Sequence, residues 1–264
     1  MTTNNYQGKK FSNNKVIAVD DNLTAEQALQ ININNKPFTI TMRTPGNDIE
    51  LIRGLLYSED IYRDSENLMI DLTENKEKSI TEAEIQVNPN LLKAGYSNSR
   101  SFLSVASCGI CGKTELDDID TSCTIEDSTQ LNIGKLYEMF EAMKKEQPTF
   151  KLSGGSHASS AFTINGDLLC TMEDIGRHNA VDKVIGYLVN NKLIKQAKCI
   201  TVSGRISYEI VAKAFAAKIP ILAAVSAPST LAVDFSKELG ITLVAFCREN
   251  KATCYSHPKR IRNL

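Results

Sequence analysis

The stretch CITVSGRISYEIVAKAFAAKIPILAAVSAPSTLAVDFSKELGITLVAFC, residues 199–247, alternates between two hydrophobic periods. CITVSG, PILAAVSA and ITLVAFC are short apolar runs bounded by Gly, Ser or Pro, as buried strands are. SYEIVAKAFAAK and STLAVDFSKELG space their apolar residues three and four apart, as helices do, and Gly240 closes the second as a C-terminal cap. Strands alternating with helices across short connections imply parallel strands joined by right-handed crossovers. Working outward, RHNAVDKVIGYLVNN and NIGKLYEMFEAMKKEQP, the latter stopped by Pro148, are two more helices. Between them ASSAFTI and DLLCTME form a hairpin about the turn signal Asn165-Gly166, and ATCYS adds a short last strand. Residues 129–264 therefore form one α/β domain.

The preceding sequence is different. Residues 14–100 read as a smaller α+β domain. ALQINI and FTITMR are strands about the turn NNKP, and LMIDLT and EIQVN are strands about ENKEKS. TPGNDIELIRGLLYSED is a helix capped by Asn47 or Asp48, with Ile49, Ile52, Leu55 and Leu56 on one face. Residues 101–128, rich in Ser, Asp, Thr and Gly, connect the two domains and hold a functional loop. MTTNNYQGKKFSNNK is polar, lacks an apolar signal core and reads as a loose N-terminal tail.

The chain has 264 residues, 42% of them hydrophobic, enough for two cores, and a formal net charge of −1 gives no basic footprint for nucleic acid. It has no apolar run long enough to span a membrane. Seven cysteines, an odd number scattered along the chain, do not form a secreted disulfide framework and point to a reducing cytoplasm.

Chemistry-bearing residues gather where strands meet helices, the usual place for a ligand in an open α/β sheet. LSGGSHAS holds Gly155 and His157; EDIGRHN holds Arg177 and His178; VSGRIS holds Ser203, Gly204 and Arg205; VSAPST holds Ser226. Glycine admits close backbone approach, helix N-termini offer free N–H groups, and arginine offers a two-pronged donor. Any one such loop needs Gly, Ser and Pro for its turn alone. Four together, with two arginines and two of the three histidines, can hold a phosphorylated, nucleotide-like ligand, although no Walker or GxGxxG motif is present.

The pair Cys108 and Cys111, in SVASCGICGK, has four readings. Structural zinc needs two further ligands, and no second CxxC supplies them. A dithiol redox pair would open a helix, whereas Gly109 and Gly112 favour a loop. Inert packing is a third reading. The fourth is sulfur transfer by an exposed thiolate on a flexible arm, its pKa lowered by Lys113 and Arg100. Zinc deaminases carry H-x-E before P-C-x-x-C; here CxxC comes first and Ser159 stands at the glutamate position, so that chemistry is missing.

SCGICG, SGGSHASSAF, EDIGRHNAVDKVIG, VSGRISYEIVAKA, VSAPSTLAVD, LGITLVAFCREN and TMRTPGNDIELIRGLLYSE together resemble the formate dehydrogenase accessory sulfurtransferase family, FdhD. The resemblance implies a cytidine-deaminase-like three-layer C-terminal domain and a cytoplasmic, dimeric sulfur carrier. Such a carrier takes sulfur from a cysteine desulfurase and delivers it to the molybdenum cofactor, a bis(molybdopterin guanine dinucleotide), before insertion into formate dehydrogenase. By the same resemblance Cys108 carries the persulfide and Cys111 is the second cysteine. The cofactor is held at Phe246, Cys247, Arg248, Glu249, Asn250 and Lys251, with GDP as its mimic. This chain has Cys247 in place of the family's aliphatic residue, Glu249 and Asn250 where glycines are frequent, and Ser153 in place of threonine.

Overall fold

The structure is a computed structural model that describes residues 1–64, 68–75, 77, 79–98 and 124–263. Two bodies of sheet and helix are present. In the first, β3 (Gln27–Ile33) and β4 (Lys36–Arg43) form a hairpin after an outlying hairpin of β1 (Thr3–Ser12) and β2 (Lys15–Thr24). Then follow α1 (Asp48–Ser58), β5 (Ile70–Asn75), β6 (Ile80–Ile85) and α2 (Ala94–Asn98). The four-stranded sheet runs β4-β3-β6-β5, with β3 and β6 parallel. Leu29, Ile31 and Ile33 of β3, with Ala83 and Ile85 of β6, meet Leu51, Ile52 and Leu56 of α1 to form its core.

Three local expectations change here. The N-terminal stretch is a hairpin, turned at Asn13 and Asn14, both in the left-handed region that asparagine tolerates. Asn47 is also left-handed and its side chain caps nothing; Asp48 instead clamps the buried Arg43 guanidinium at 2.9 Å. Ile49 is exposed rather than in the core, because α1 buries a second side against another helix. That side is made by glycine. A Cβ on Gly54 would lie 1.8 Å from the Asp182 carbonyl oxygen, and one on Gly186 would lie 1.9 Å from that of Glu50.

The second body holds β7 (Leu131–Asn132), α3 (Ile133–Lys145), α4 (Pro148–Ser153), β8 (His157–Phe162), β9 (Leu168–Asp174) and α5 (Arg177–Asn190). It continues with β10 (Cys199–Val202), α6 (Tyr208–Ala216), β11 (Ile221–Ala224), α7 (Thr230–Glu238), β12 (Thr242–Arg248), β13 (Lys251–Cys254) and β14 (Ile261–Arg262). The six-stranded sheet runs β13-β12-β11-β10-β8-β9, with β10, β11 and β12 parallel as expected. Its strands bury both faces. Cys199, Ile221, Ala223, Val244 and Cys247 pack towards Leu136, Met139 and Met143 of α3. Ile200, Val202, Leu222, Ala224 and Leu243 pack towards Val181 and Ile185 of α5 and Val211 and Ala214 of α6.

Pro148 does not merely stop α3. It opens α4, where its missing N–H is no loss. The β8–β9 turn closes through Gly166 alone in the left-handed region, with Gly166 N–H donating to Thr163 O at 3.2 Å, so it is a longer loop than the dipeptide signal alone requires. Gly240 caps α7 with φ 76°.

Register fixes what stands at which end of this sheet. β8 runs against β10, with Val202 opposite Ser159, and β9 runs against β8, with Asp174 opposite His157. The carboxyl ends of β9, β10, β11 and β12 and the start of β8 therefore share one edge.

Candidate functional site

That shared edge gathers the strand–helix junctions singled out in the sequence. His157, at the start of β8, lies within electrostatic reach of Arg177, His178, Asp174 and Arg205. Gly204 makes the approach possible: a Cβ there would sit 3.2 Å from His157 Nδ1 and 3.6 Å from Arg177 Cβ. The β10–α6 and β11–α7 loops are tied by a bridge between Ile206 and Pro228, which brings the Ser226 loop alongside the Arg205 loop. Glu173 holds the fourth junction. Its carboxylate accepts from the N–H groups of Thr149 and Phe150 and from Ser156 Oγ, all at 2.8 Å, and so anchors α4 and the Gly154–Ser156 turn.

Beneath the edge lies a buried charge pair. Lys183 Nζ stands 2.7 Å from Asp174 Oδ2, with both side chains out of solvent. Asp174 also accepts from Thr44 N–H at 3.1 Å, Gly176 N–H at 2.8 Å and Asn179 Nδ2 at 3.0 Å, and Lys183 donates to Thr44 O at 2.9 Å. Four donors satisfy this carboxylate, and the Thr44 bonds join the first body to the β9–α5 junction. Asp174 is thus committed to the scaffold.

The cations above it are not committed. Among the described residues no hydrogen bond or ion pair engages the His157 ring, and Arg177 Nε is buried without a hydrogen-bond partner. Arg205 is exposed. Burial first, then Arg177 and His178, push the His157 pKa below the ordinary histidine value; Asp174 opposes them only in part. His178 is held differently. Its Nε2 lies 2.9 Å from Ser207 Oγ and 3.7 Å from Glu209 Oε2. Burial works against ionising Glu209, yet hydrogen bonds from His178 and Ser207 prevail and draw its carboxyl down to about 2. Such a set of unpaired donors and cations suits an anion with several oxygens, which a phosphate offers.

The remaining residues expected at the site fall into two groups. Ser203 is spent on structure, its Oγ accepting from Ala158 N–H at 2.9 Å. Gly155 packs against Thr24, where a Cβ would meet Thr24 Oγ1 at 2.9 Å. Ser226 offers its carbonyl to Phe246 N–H at 3.3 Å. Phe246 through Lys251 form the end of β12, its turn and the start of β13, on the same sheet edge, with Arg248, Glu249, Asn250 and Lys251 exposed. Cys247 points into the α3-side core, 3% exposed, and burial pushes its thiol up to about 12. It cannot meet a ligand at this edge. Cys170 and Cys199 are likewise packed. Cys108 and Cys111 lie outside the described residues. Glu209 is the residue that the sequence reading missed; its only signal was an acid two positions after Ser207, which also reads as an ordinary first-turn helix acid.

A hollow of about 670 Å³ runs along α3, lined by Tyr137, Glu138, Glu141, Lys145, Glu146 and Asn250 among others. Three glutamates against one lysine give it the wrong sign for a phosphate. Among the described residues no helix is long and apolar enough to cross a membrane.

The fold and this edge define a class: a two-body α/β protein with a cationic edge at the carboxyl ends of the parallel strands of a mixed sheet. Comparison with known proteins narrows it. The model of the FdhD/NarQ family matches residues 24–262, and the chain belongs to that family. It is 39% identical over 246 residues to a sulfur carrier protein FdhD of Sulfolobus acidocaldarius, covering 92% of each chain. It is 38% identical over 251 residues to that of Streptomyces coelicolor, covering 91% of this chain and 89% of the relative. A crystal structure described as a formate dehydrogenase accessory protein from Desulfotalea psychrophila shares the fold, with a TM-score of 0.76 at 18% identity over 99% of this chain and all of the other.

Proposed function

We propose that this protein is a sulfur carrier. It accepts sulfur from a cysteine desulfurase as a persulfide on Cys108 and passes it to the molybdenum cofactor, a bis(molybdopterin guanine dinucleotide), destined for formate dehydrogenase. In the loading step the Cys108 thiolate attacks the outer sulfur of the desulfurase persulfide. That sulfur–sulfur bond breaks, and the desulfurase cysteine leaves as thiolate. Cys111 stands close enough in sequence to help release the sulfur or to guard it as a disulfide. The cofactor is cargo, and this chain's part is to bind and orient it in the cytoplasm, acting as a homodimer.

The observation that carries the reading is the set of groups at one sheet edge that no described residue pairs, the Arg177 and Arg205 guanidinium groups and the His157 ring, with the Phe246–Lys251 turn on the same edge. β12 stands two strand positions from β10, about 10 Å at the usual spacing. A guest that presents phosphates to the cations can therefore reach the turn, as a dinucleotide can and a lone phosphate cannot. The arrangement also fits a deaminase-like domain that has lost its chemistry. Ser159, in place of the proton-shuttling glutamate, is fully buried on β8, and among the described residues its hydroxyl has no partner.

The test is mass spectrometry after incubation with a cysteine desulfurase and free cysteine. One added sulfur should appear on the Cys108 peptide and vanish in Cys108→Ala, with GDP binding retained. Sulfur found on Cys111 alone contradicts the assignment.

A further inference from the structure

The two histidines at this edge are held in opposite ways, and that difference has a thermodynamic consequence. His178 already faces a carboxylate: Glu209 lies 3.7 Å from its Nε2, and Ser207 Oγ lies 2.9 Å from the same atom. His157 has no such partner. It is faced by Arg177 and His178 from the β9–α5 junction, by Arg205 from the β10–α6 loop, and by Asp174, whose oxygens are taken by Lys183, Thr44, Gly176 and Asn179. Resting on the reading of this edge as a nucleotide site, we propose that the guest binds together with one proton, drawn from solvent onto His157. Ser207 and Glu209 meanwhile act as a positioning pair that keeps His178 oriented beside it.

Binding reverses the local field. In the free protein, burial and then the neighbouring arginine disfavour the imidazolium form of His157. A diphosphate seated between Arg177 and Arg205 places negative charge where only positive charge stood. An opposite charge within a few ångströms raises a histidine pKa by roughly one to three units. The His157 pKa is thereby raised from its lowered value, and a ring that no described residue hydrogen-bonds becomes a two-fold donor. Binding then consumes a proton, and linkage requires affinity to fall as pH rises, at most about tenfold per unit. His178, already held by Ser207 and Glu209, contributes a fixed contact.

The probe must not titrate itself. GDP does, since a terminal phosphate loses its second proton near pH 6 or so. A GDP-sugar such as GDP-mannose does not, because its phosphates are both esterified. Calorimetry with GDP-mannose at one pH, in buffers of different ionisation enthalpy, counts the protons taken up by the whole wild-type protein and needs no variant. The expected result is net proton uptake near pH 7, with affinity falling as pH rises by no more than about tenfold per unit. His157→Gln should abolish the uptake and flatten the pH profile, while His178→Gln weakens binding but keeps the uptake. Binding without proton uptake overturns the inference and leaves the nucleotide site standing. Uptake that survives His157→Gln and disappears in His178→Gln overturns the assignment to His157. Failure of the wild-type protein to bind either GDP or GDP-mannose overturns the nucleotide site and this inference with it.

Discussion

Asp174 and Arg177 stand three residues apart and have opposite fates. Asp174 is spent on Lys183, Thr44, Gly176 and Asn179, so it cannot neutralise the arginine above it. This is why an edge of a chain with net charge −1 can still present unpaired cations. The same edge has a pH signature in stability. Glu209 is held at about 2 against an ordinary 4.5, so its ionised form favours the folded state. That contribution is complete above pH 4.5 and is lost as pH falls towards 2. His157 acts in the same direction: its lowered pKa adds stability above about 6.5 that is lost as pH falls below it. Urea unfolding midpoints should therefore decline from about pH 6.5 downwards, and Glu209→Gln should flatten the part below pH 4.5. An unchanged profile in that variant contradicts the carboxylate's role. Glycine, arginine and histidine at strand ends were legible as a ligand edge because they cluster at four strand–helix junctions that hold two of the three histidines. Glu209 was not, since a helix's first turn attracts acids without any function.

Among the elements, α1 and α5 carry the join between the two bodies. Their backbones touch at Gly54 and Gly186, and Lys213 of α6 secures the crossing with Asp182 at 2.9 Å and Glu59 at 3.0 Å. Burial works against the charge of Lys213, but these two carboxylates more than offset it and hold its pKa above the usual range. Gly54→Ala should raise intrinsic helix propensity by about 1 kcal/mol and yet destabilise the protein by about 2 kcal/mol net, since the new methyl meets a backbone carbonyl that cannot yield. A rise in the urea midpoint would contradict the close crossing. The strand–helix alternation of residues 199–247 was fully legible, because buried strands and amphipathic helices have different periods. The glycine crossing was not, since GLL and IGY look like ordinary helix interior until the partner helix is known. The β1–β2 hairpin was missed for a related reason: Phe11, Val16 and Ile17 stay exposed, so no buried face imposed a pattern on it. Glu249 and Asn250 both have positive φ, 54° and 56°, which explains why glycine would suit that turn.

At the scale of the molecule, the first body serves the second. Thr44, at the end of β4, binds Asp174 and Lys183 directly beneath the cationic edge, so the smaller sheet fixes the floor of the site. The larger sheet supplies its rim from four junctions, and the cysteine pair lies between the two bodies in sequence. The account stands on Arg177, whose Nε is buried and, among the described residues, unpaired, donating to a phosphate oxygen. Calorimetric titration of wild type and Arg177→Gln with GDP tests this most directly. Loss of a charge-assisted bond, about 1.5–3 kcal/mol, predicts binding weakened roughly tenfold to a hundredfold. Equal affinity in the two proteins would contradict it.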